Sequence, residues 1–258
     1  MKQFILEDMP DRNTVRLDGK DYHYLVNVRR LAVGEFFPAV LPNGEEVMIE
    51  IISIDKGILS GRVSNDFSQR AKNEEPNLPP IILFQSLPKA DKMDLIVRQA
   101  AEGGIAEIVP FVSEFSAAKA GSSAGQKFIR WQRIIREARQ QSGCKTATSI
   151  CEPLTMKGLI EYWKKINKND ILGLLFHQQG LEQESLHGYL KNIPNAVILV
   201  IGPEGGFSDA EVSLFIENGF KPFTIGDTVL RTETAALYFA AAVKILLLER
   251  DSWELKHT

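Results

Sequence analysis

Ile198-Leu-Val-Ile-Gly-Pro-Glu-Gly-Gly-Phe-Ser-Asp-Ala-Glu211 sets an apolar run directly against a glycine-rich turn and then a helix start. The run has no polar alternation, the pattern of a strand buried on both faces of a parallel sheet. Ser208, with Glu211 three residues later, forms a capping box, so a helix begins there. Glycines between such a strand and such a helix let backbone amides approach a ligand closely.

The same strand-then-helix alternation extends in both directions. Ile81-Ile-Leu-Phe-Gln-Ser-Leu87 reads as a buried strand, and Asp91 to Glu102 as a helix that stops at Gly103-Gly104. Ile105 to Phe111, Ile171 to Phe176, Ala196 to Ile201 and Pro222 to Ile225 read as further strands. Helices are expected over Lys127 to Arg139, Asp209 to Asn218 and Thr232 to about Glu249. The fold class is therefore α/β, with a mainly parallel sheet over 81–250. Ligands of such sheets bind beyond the carboxyl ends of the strands. Three strand ends carry suitable residues: Phe176-His177, Gly202-Pro-Glu-Gly-Gly206 and Gly226-Asp227.

Composition shifts near residue 72. Before it, short β-branched stretches alternate with turns, and Asn43-Gly44 between apolar segments is a hairpin signal. Residues 1–72 therefore predict a small antiparallel sheet or barrel, interrupted by one helix from Asp21 to Leu31. Residues 73–80, polar and rich in proline, read as a linker.

With 258 residues, 44% of them hydrophobic, the chain is long enough for two cored domains. No apolar run reaches the roughly 18 residues of a membrane span, and the first residues do not form a signal peptide, so a soluble cytoplasmic protein is expected. Cys144 and Cys151 stand alone, without zinc-ligand spacing, and no metal is expected. Net charge is −3, which argues against nucleic-acid binding by bulk charge. Between Lys89 and Lys145, however, ten basic residues face six acidic ones. Arg130, Arg133, Arg136 and Arg139 recur every third residue along the expected helix, with Ile129, Ile134, Ile135 and Ala138 available to face inward. A solvated face with an Arg133 to Glu137 pair is the plainer explanation of that stripe.

The phosphate loop of nucleotide triphosphatases is missing, since Gly143-Cys-Lys-Thr146 lacks the upstream glycine. The Gly-x-Gly-x-x-Gly dinucleotide fingerprint and the Gly-x-Ser-x-Gly nucleophile turn are missing too, which disfavours a Rossmann-type reductase or a serine hydrolase.

Ile201-Gly-Pro-Glu-Gly-Gly-Phe-Ser208, followed by Gly226-Asp-Thr-Val-Leu-Arg-Thr-Glu-Thr-Ala235, resembles the paired signature of the RsmE family, the 16S ribosomal RNA uridine-N3 methyltransferases of the SPOUT superfamily. His23 to Glu35 resembles that family's PUA-like N-terminal segment. Leu87 to Asp94 with Glu102 to Ile105, Arg130-Trp131, and Glu137-Ala138 to Gln141-Ser-Gly143 match as well. Gly103 stands where the family usually has Leu, and Cys144 where it usually has Arg. The resemblance implies an S-adenosylmethionine-dependent enzyme with a C-terminal trefoil knot, a PUA-like β-barrel, and action as a homodimer on the 30S subunit and its 16S RNA. A tRNA ribose 2′-O methyltransferase of the same superfamily and a catalytically silent assembly factor are the alternatives.

Carried onto this chain, the cofactor site comprises Phe176, His177, Ile201, Gly202, Gly205, Gly206, Ile225, Gly226, Val229 and Leu230. N3 of uracil must lose a proton on methylation, so a carboxylate is useful, and Glu204 and Glu233 are the candidates. Arg231 is a candidate for stabilising charge on the uracil oxygens, with a salt bridge to Glu204 or Glu233 as its structural alternative. Arg29, Arg30, Lys89, Lys92 and Arg130 are expected to hold RNA phosphates.

Overall fold

The computed structural model describes residues 4–64, 78–116, 124–167, 170–177, 182–224, 226 and 228–249. The chain divides into two compact units, Met1–Glu75 with Arg139–Ala147, and Pro76–Ala138 with Thr148–Thr258. Assigning Arg139–Ala147 to the first unit departs from the sequence-based division. Within that unit, Gln140 Nε2 donates to the Ile5 carbonyl at 3.5 Å and Lys145 pairs with Glu46 at 3.5 Å. Most of the expected linker, 73–77, lies outside the described residues.

In the first unit, β1 (Phe4–Ile5), β2 (Thr14–Leu17), β3 (Phe36–Val40), β4 (Glu46–Asp55) and β5 (Ile58–Ser64) form one sheet in the order β1-β3-β4-β5-β2. Asn43 and Gly44 lie in the turn between the antiparallel strands β3 and β4, whereas β1 joins β3 in parallel. Alternate residues of β4, namely Val47, Ile49 and Ile51, point into a core shared with Phe37, Leu59 and Leu25. The expected helix from Asp21 to Leu31 is instead a single α turn, α1 (Gly19–Tyr22), that widens into a π-helical segment at His23–Val28. Two β-branched residues in that segment, Val26 and Val28, make regular α geometry less favourable.

The second unit is three-layered. Its fully parallel sheet contains β6 (Ile81–Ser86), β7 (Glu107–Val112), β8 (Ser149–Ile150), β9 (Leu154–Thr155), β10 (Ile171–Phe176), β11 (Ala196–Ile201) and β12 (Lys221–Phe223). The order is β12-β10-β11-β6-β7-β8, with β9 also on β7. Strand β11 is buried throughout, and its faces part by alternation. Val197, Leu199 and Ile201 pack beneath α2 (Lys92–Gly103), α3 (Ala124–Ser142) and α7 (Thr232–Leu248). Ile198 and Val200 meet α4 (Met156–Ile166) and α6 (Asp209–Glu217). A short α5 (Leu186–Tyr189) precedes β11.

Helix α2 stops because Gly104 takes the left-handed conformation, φ 78°. Gly103 is its last residue, and open space surrounds the position of a Cβ there, so the departure from Leu relieves no clash. In α3 the inward residues are Trp131, Ile134, Ile135 and Ala138, spaced i, i+3, i+4, i+7. Ile129, expected inward, is 67% exposed because it lies two positions, about 200°, from Trp131. The arginine stripe turns by about 60° per step, from exposed Arg130 and Arg133, through half-buried Arg136, to Arg139 at 5% exposure. Arg133 and Glu137 do pair, at 3.7 Å. Helix α4 has no counterpart among the sequence-based expectations. Thr155 caps it, accepting from the Gly158 amide, and Trp163 Nε1 donates to the Asn218 carbonyl at 2.8 Å.

Among the described residues, no helix is long and apolar enough to cross a membrane, and no group of His, Cys, Asp and Glu could hold a metal.

Candidate active site

A cavity of about 330 Å3 opens at the carboxyl ends of β10 and β11, a size within the range of small-molecule sites. The Ser208 to Glu211 box forms as the sequence indicates, fixing the direction in which the turn after β11 enters α6. The buried Glu211 carboxylate also accepts the Glu114 amide at 2.8 Å, so one side chain fastens two loops.

Phe176 stacks on Phe239 of α7 at 3.6 Å and meets Phe223 edge-on at 5.8 Å, giving the cavity an aromatic wall. The His177 carbonyl accepts the Thr224 hydroxyl at 2.7 Å, tying the end of β10 to the stretch after β12. Gln183 pins that stretch a second time, accepting from the Thr224 amide and donating to its carbonyl, at 2.6 and 3.1 Å. Thr232 opens α7, and its hydroxyl donates to the Gly202 carbonyl at 2.7 Å. Gln85, wholly buried at the end of β6, donates in turn to that hydroxyl at 3.0 Å and to the Ser86 carbonyl at 2.9 Å. These three loops are therefore set by hydrogen bonds before any ligand arrives.

Of the residues expected at a cofactor site, Phe176, His177, Ile201, Gly202, Gly206, Gly226, Val229 and Leu230 all line this cavity. Ile225 and Asp227 lie outside the described residues. Gly205 does not line it. A Cβ at Gly205 would sit 2.9 Å from the Phe115 Cβ, so this glycine serves close packing against the 113–116 loop. Gly206 and Gly226 have φ of 72° and 61° with open space where a Cβ would stand, a shape a side chain would narrow. Thr224, Thr228, Ala235 and Phe239 also line the wall without a signal in the sequence, since nothing in a helix interior such as Phe239 marks a ligand contact.

The carboxylates are partnered from α2. Lys92 Nζ lies 2.9 Å from Glu204 Oε1 and 3.4 Å from Glu233 Oε2. The Lys89 amide donates to both oxygens of Glu204, at 3.1 and 3.3 Å. Apart from the ion pair with Lys92, the buried Glu233 Oε2 has no hydrogen-bond partner among the described residues. Burial pushes the Glu204 carboxyl up, but the hydrogen bonds from Lys92 and from the backbone, together with the Lys92 charge, outweigh it and hold the group below its ordinary value. Burial pulls the His177 imidazole down, against the weaker pull of Asp209, which keeps it neutral at pH 7. Arg231 is exposed at the cavity wall and makes no ion pair among the described residues. The salt bridge that its spacing suggests is made by Lys92 instead.

The five expected phosphate contacts do not stand alike. Lys92 is engaged with two carboxylates, and Arg130 pairs with Asp94, which also accepts from Trp131 Nε1 at 3.1 Å. The Lys89 side chain is exposed. Arg29 and Arg30 belong to the first unit, where Arg30 adopts φ 57° at the end of the π-helical segment.

Residues 74–244 match the RNA methyltransferase domain family, and residues 17–64 match the RNA methyltransferase PUA domain family. The two matches define the class, an RNA methyltransferase carrying a PUA domain. Over 91% of this chain and 74% of its own length, the ribosomal RNA small subunit methyltransferase E of Synechocystis sp. is 32% identical. The ribosomal RNA small subunit methyltransferase E 2 of Borreliella burgdorferi is 30% identical over 96% of this chain and 98% of its own. The crystal structure of ribosomal RNA small subunit methyltransferase E from Neisseria gonorrhoeae, bound to S-adenosyl methionine, superposes with a TM-score of 0.77 at 25% identity, covering 95% of this chain and 98% of that one. The chain belongs to the ribosomal RNA small subunit methyltransferase E family.

The cavity suits such a cofactor. Its aromatic and aliphatic side, Phe176, Phe239, Val229 and Leu230, is the environment an adenosine needs, and the main chain at Gly202, Gly206 and Gly226 offers the polar groups.

Proposed function

We propose that this chain methylates N3 of a uridine in 16S ribosomal RNA, with S-adenosylmethionine as the methyl donor, acting as a cytoplasmic homodimer on the small ribosomal subunit. The observation that carries this reading is the cavity whose walls come from the main chain at three strand ends, in a chain of this family. The topology supports a trefoil knot in the second unit, because β11 is inserted between β6 and β10, which precede it, and the chain then crosses to β12 on the far side of β10. In this reading residues 81–250 carry the reaction and residues 1–72 grip RNA.

When bound, S-adenosylmethionine supplies an electrophilic methyl group on a sulfonium sulfur. The chain holds the donor with the backbone of Phe176-His177, Gly202 and Gly226, and the aromatic wall keeps water from it. Orientation is the main contribution, since attacking nitrogen, carbon and sulfur must be nearly in line. As the N3–C bond forms and the S–C bond breaks, the N3 proton passes to Glu204, directly or through one water. A carboxylate held below its ordinary value is a weak base, so the proton moves only as the nucleophile is consumed. Arg231, exposed at the wall and without an ion pair among the described residues, faces the charge that develops on the uracil oxygens.

The test is transfer of labelled methyl to small subunits from a strain lacking the gene, followed by mass spectrometry of 16S RNA nucleosides. One 3-methyluridine restored by the protein is expected. Label appearing on a ribose oxygen, or in no RNA at all, would refute the reading.

A further inference from the structure

One cation, Lys92 of α2, stands between carboxylates from the two segments that carry the signature motifs: Glu204 after β11 at 2.9 Å, and Glu233 in the first turn of α7 at 3.4 Å. We propose that Lys92 is a positioning residue for the methyl transfer, tying Glu204 to Glu233 across the cavity wall so that the Glu204 carboxylate is presented to the target base in one fixed orientation. This rests on the uridine-N3 reading above, and it takes Lys92 out of the RNA-phosphate contacts that its charge and position in the sequence suggest.

Geometry separates the two roles. Lys92 and the two carboxylates together carry a charge of −1, so a phosphate brought to this ammonium meets net repulsion and must break a 2.9 Å contact. The Lys89 amide holds the same Glu204 carboxylate from the loop before α2, at 3.1 and 3.3 Å, so the carboxylate is gripped from two points of one segment. That segment turns sharply to do so, with Ala90 at φ 53°, a conformation costly for a residue with a Cβ. Around the trio, Arg231 stands at the start of α7 and His177 at the end of β10. Asp91 precedes Lys92, while Asp94, two residues on, is satisfied by Arg130 and Trp131. Lys92 is the cation in contact with Glu204 among the described residues. Its own proton is held more firmly than usual, above all by the hydrogen bond to Glu204.

The experiment compares wild type, Lys92→Met and Lys92→Arg for kcat, KM for small subunits, and S-adenosylmethionine affinity, with kcat/KM followed from acid to alkaline pH. Met keeps the aliphatic stem and removes the charge. Lys92→Met is expected to leave cofactor affinity and the RNA KM within about twofold, to lower kcat about tenfold or more, and to move the acid limb of the profile to higher pH. Lys92→Arg should recover most of kcat. An acid limb that stays in place while the RNA KM rises and its salt dependence weakens would make Lys92 a phosphate contact and overturn the proposal, as would unchanged kinetics. A carboxyl 13C NMR titration, with Glu204→Gln for assignment and thermal unfolding as a check on folding, needs no turnover. An upward move of the Glu204 titration in Lys92→Met supports the tie even if wild type methylates nothing, in which case the functional reading alone fails; an unmoved titration defeats the tie whatever the activity.

Discussion

The Thr232 hydroxyl donates to the Gly202 carbonyl at 2.7 Å while accepting from buried Gln85 at 3.0 Å, so one side chain joins β6, the turn after β11 and the start of α7. Replacing Thr232 by Val keeps the shape, removes the bridge and leaves the Gln85 amide one acceptor short. Unfolding free energy should drop by about 1–3 kcal/mol, and S-adenosylmethionine affinity by about tenfold, because the Gly202 carbonyl is no longer held. Denaturant titration and calorimetry measure both, and Thr232→Ser should restore most of each. Wild-type values in Thr232→Val would show that the bridge is dispensable.

Gly205 separates packing from binding. A Cβ there meets the Phe115 Cβ at 2.9 Å and does not reach the cavity. Gly205→Ala is therefore expected to lose about 1–3 kcal/mol of stability, with cofactor affinity per folded molecule little changed. Adding Phe115→Gly, which removes the Cβ that the new methyl meets, should return part of the loss, a coupling visible in a double-mutant cycle. Equal losses with and without Phe115 would argue against this contact.

Acid should destabilise the protein in two steps. Unfolded His177 takes up a proton near its ordinary value of 6.5, whereas the folded imidazole resists because it is desolvated, so stability declines as pH falls below 6.5. Glu204, lowered in the fold, contributes stability that is present above its ordinary 4.5 and is lost as pH falls through the folded value. His177→Gln should flatten the first window and Glu204→Gln the second in urea titrations at stepped pH. Curves parallel to wild type in both variants would remove these two groups from the acid response.

Arg29→Ala with Arg30→Ala should weaken association with small subunits at low salt and reduce the salt slope of log affinity by about 1–2. Arg130→Ala should act less, because Asp94 already pairs with that guanidinium. Filter binding over a salt series distinguishes them, and a double variant that binds as wild type would take both arginines out of the RNA footprint.

The catalytic fold is legible where periodicity is strong. Strand β11 and the Ser208 cap announce themselves because a two-sided burial and a capping box leave direct marks on residue type. The cavity wall is legible at Gly206 and Gly226 for the same reason, since glycine marks the backbone there. Distances across the sequence are not. Nothing local to Lys92 says that its charge is committed to residues more than a hundred positions away. Gly205 looks like a ligand glycine because its crowding partner, Phe115, lies on another loop. Residues Arg139–Ala147 fall within the 81–250 stretch that the strand–helix alternation assigns to the parallel sheet, and only tertiary packing assigns them to the first unit.

Because β11 occupies the slot between β6 and β10, a chain still emerging from the ribosome can pair β6 with β7 but must leave a gap where its most apolar strand will later sit. Its methyl-donor site cannot assemble in the order of synthesis. Maturation of this catalyst therefore waits on its last third, and a truncation between β10 and β11 leaves β6 and β10 without the strand that joins them, an open and sticky sheet edge.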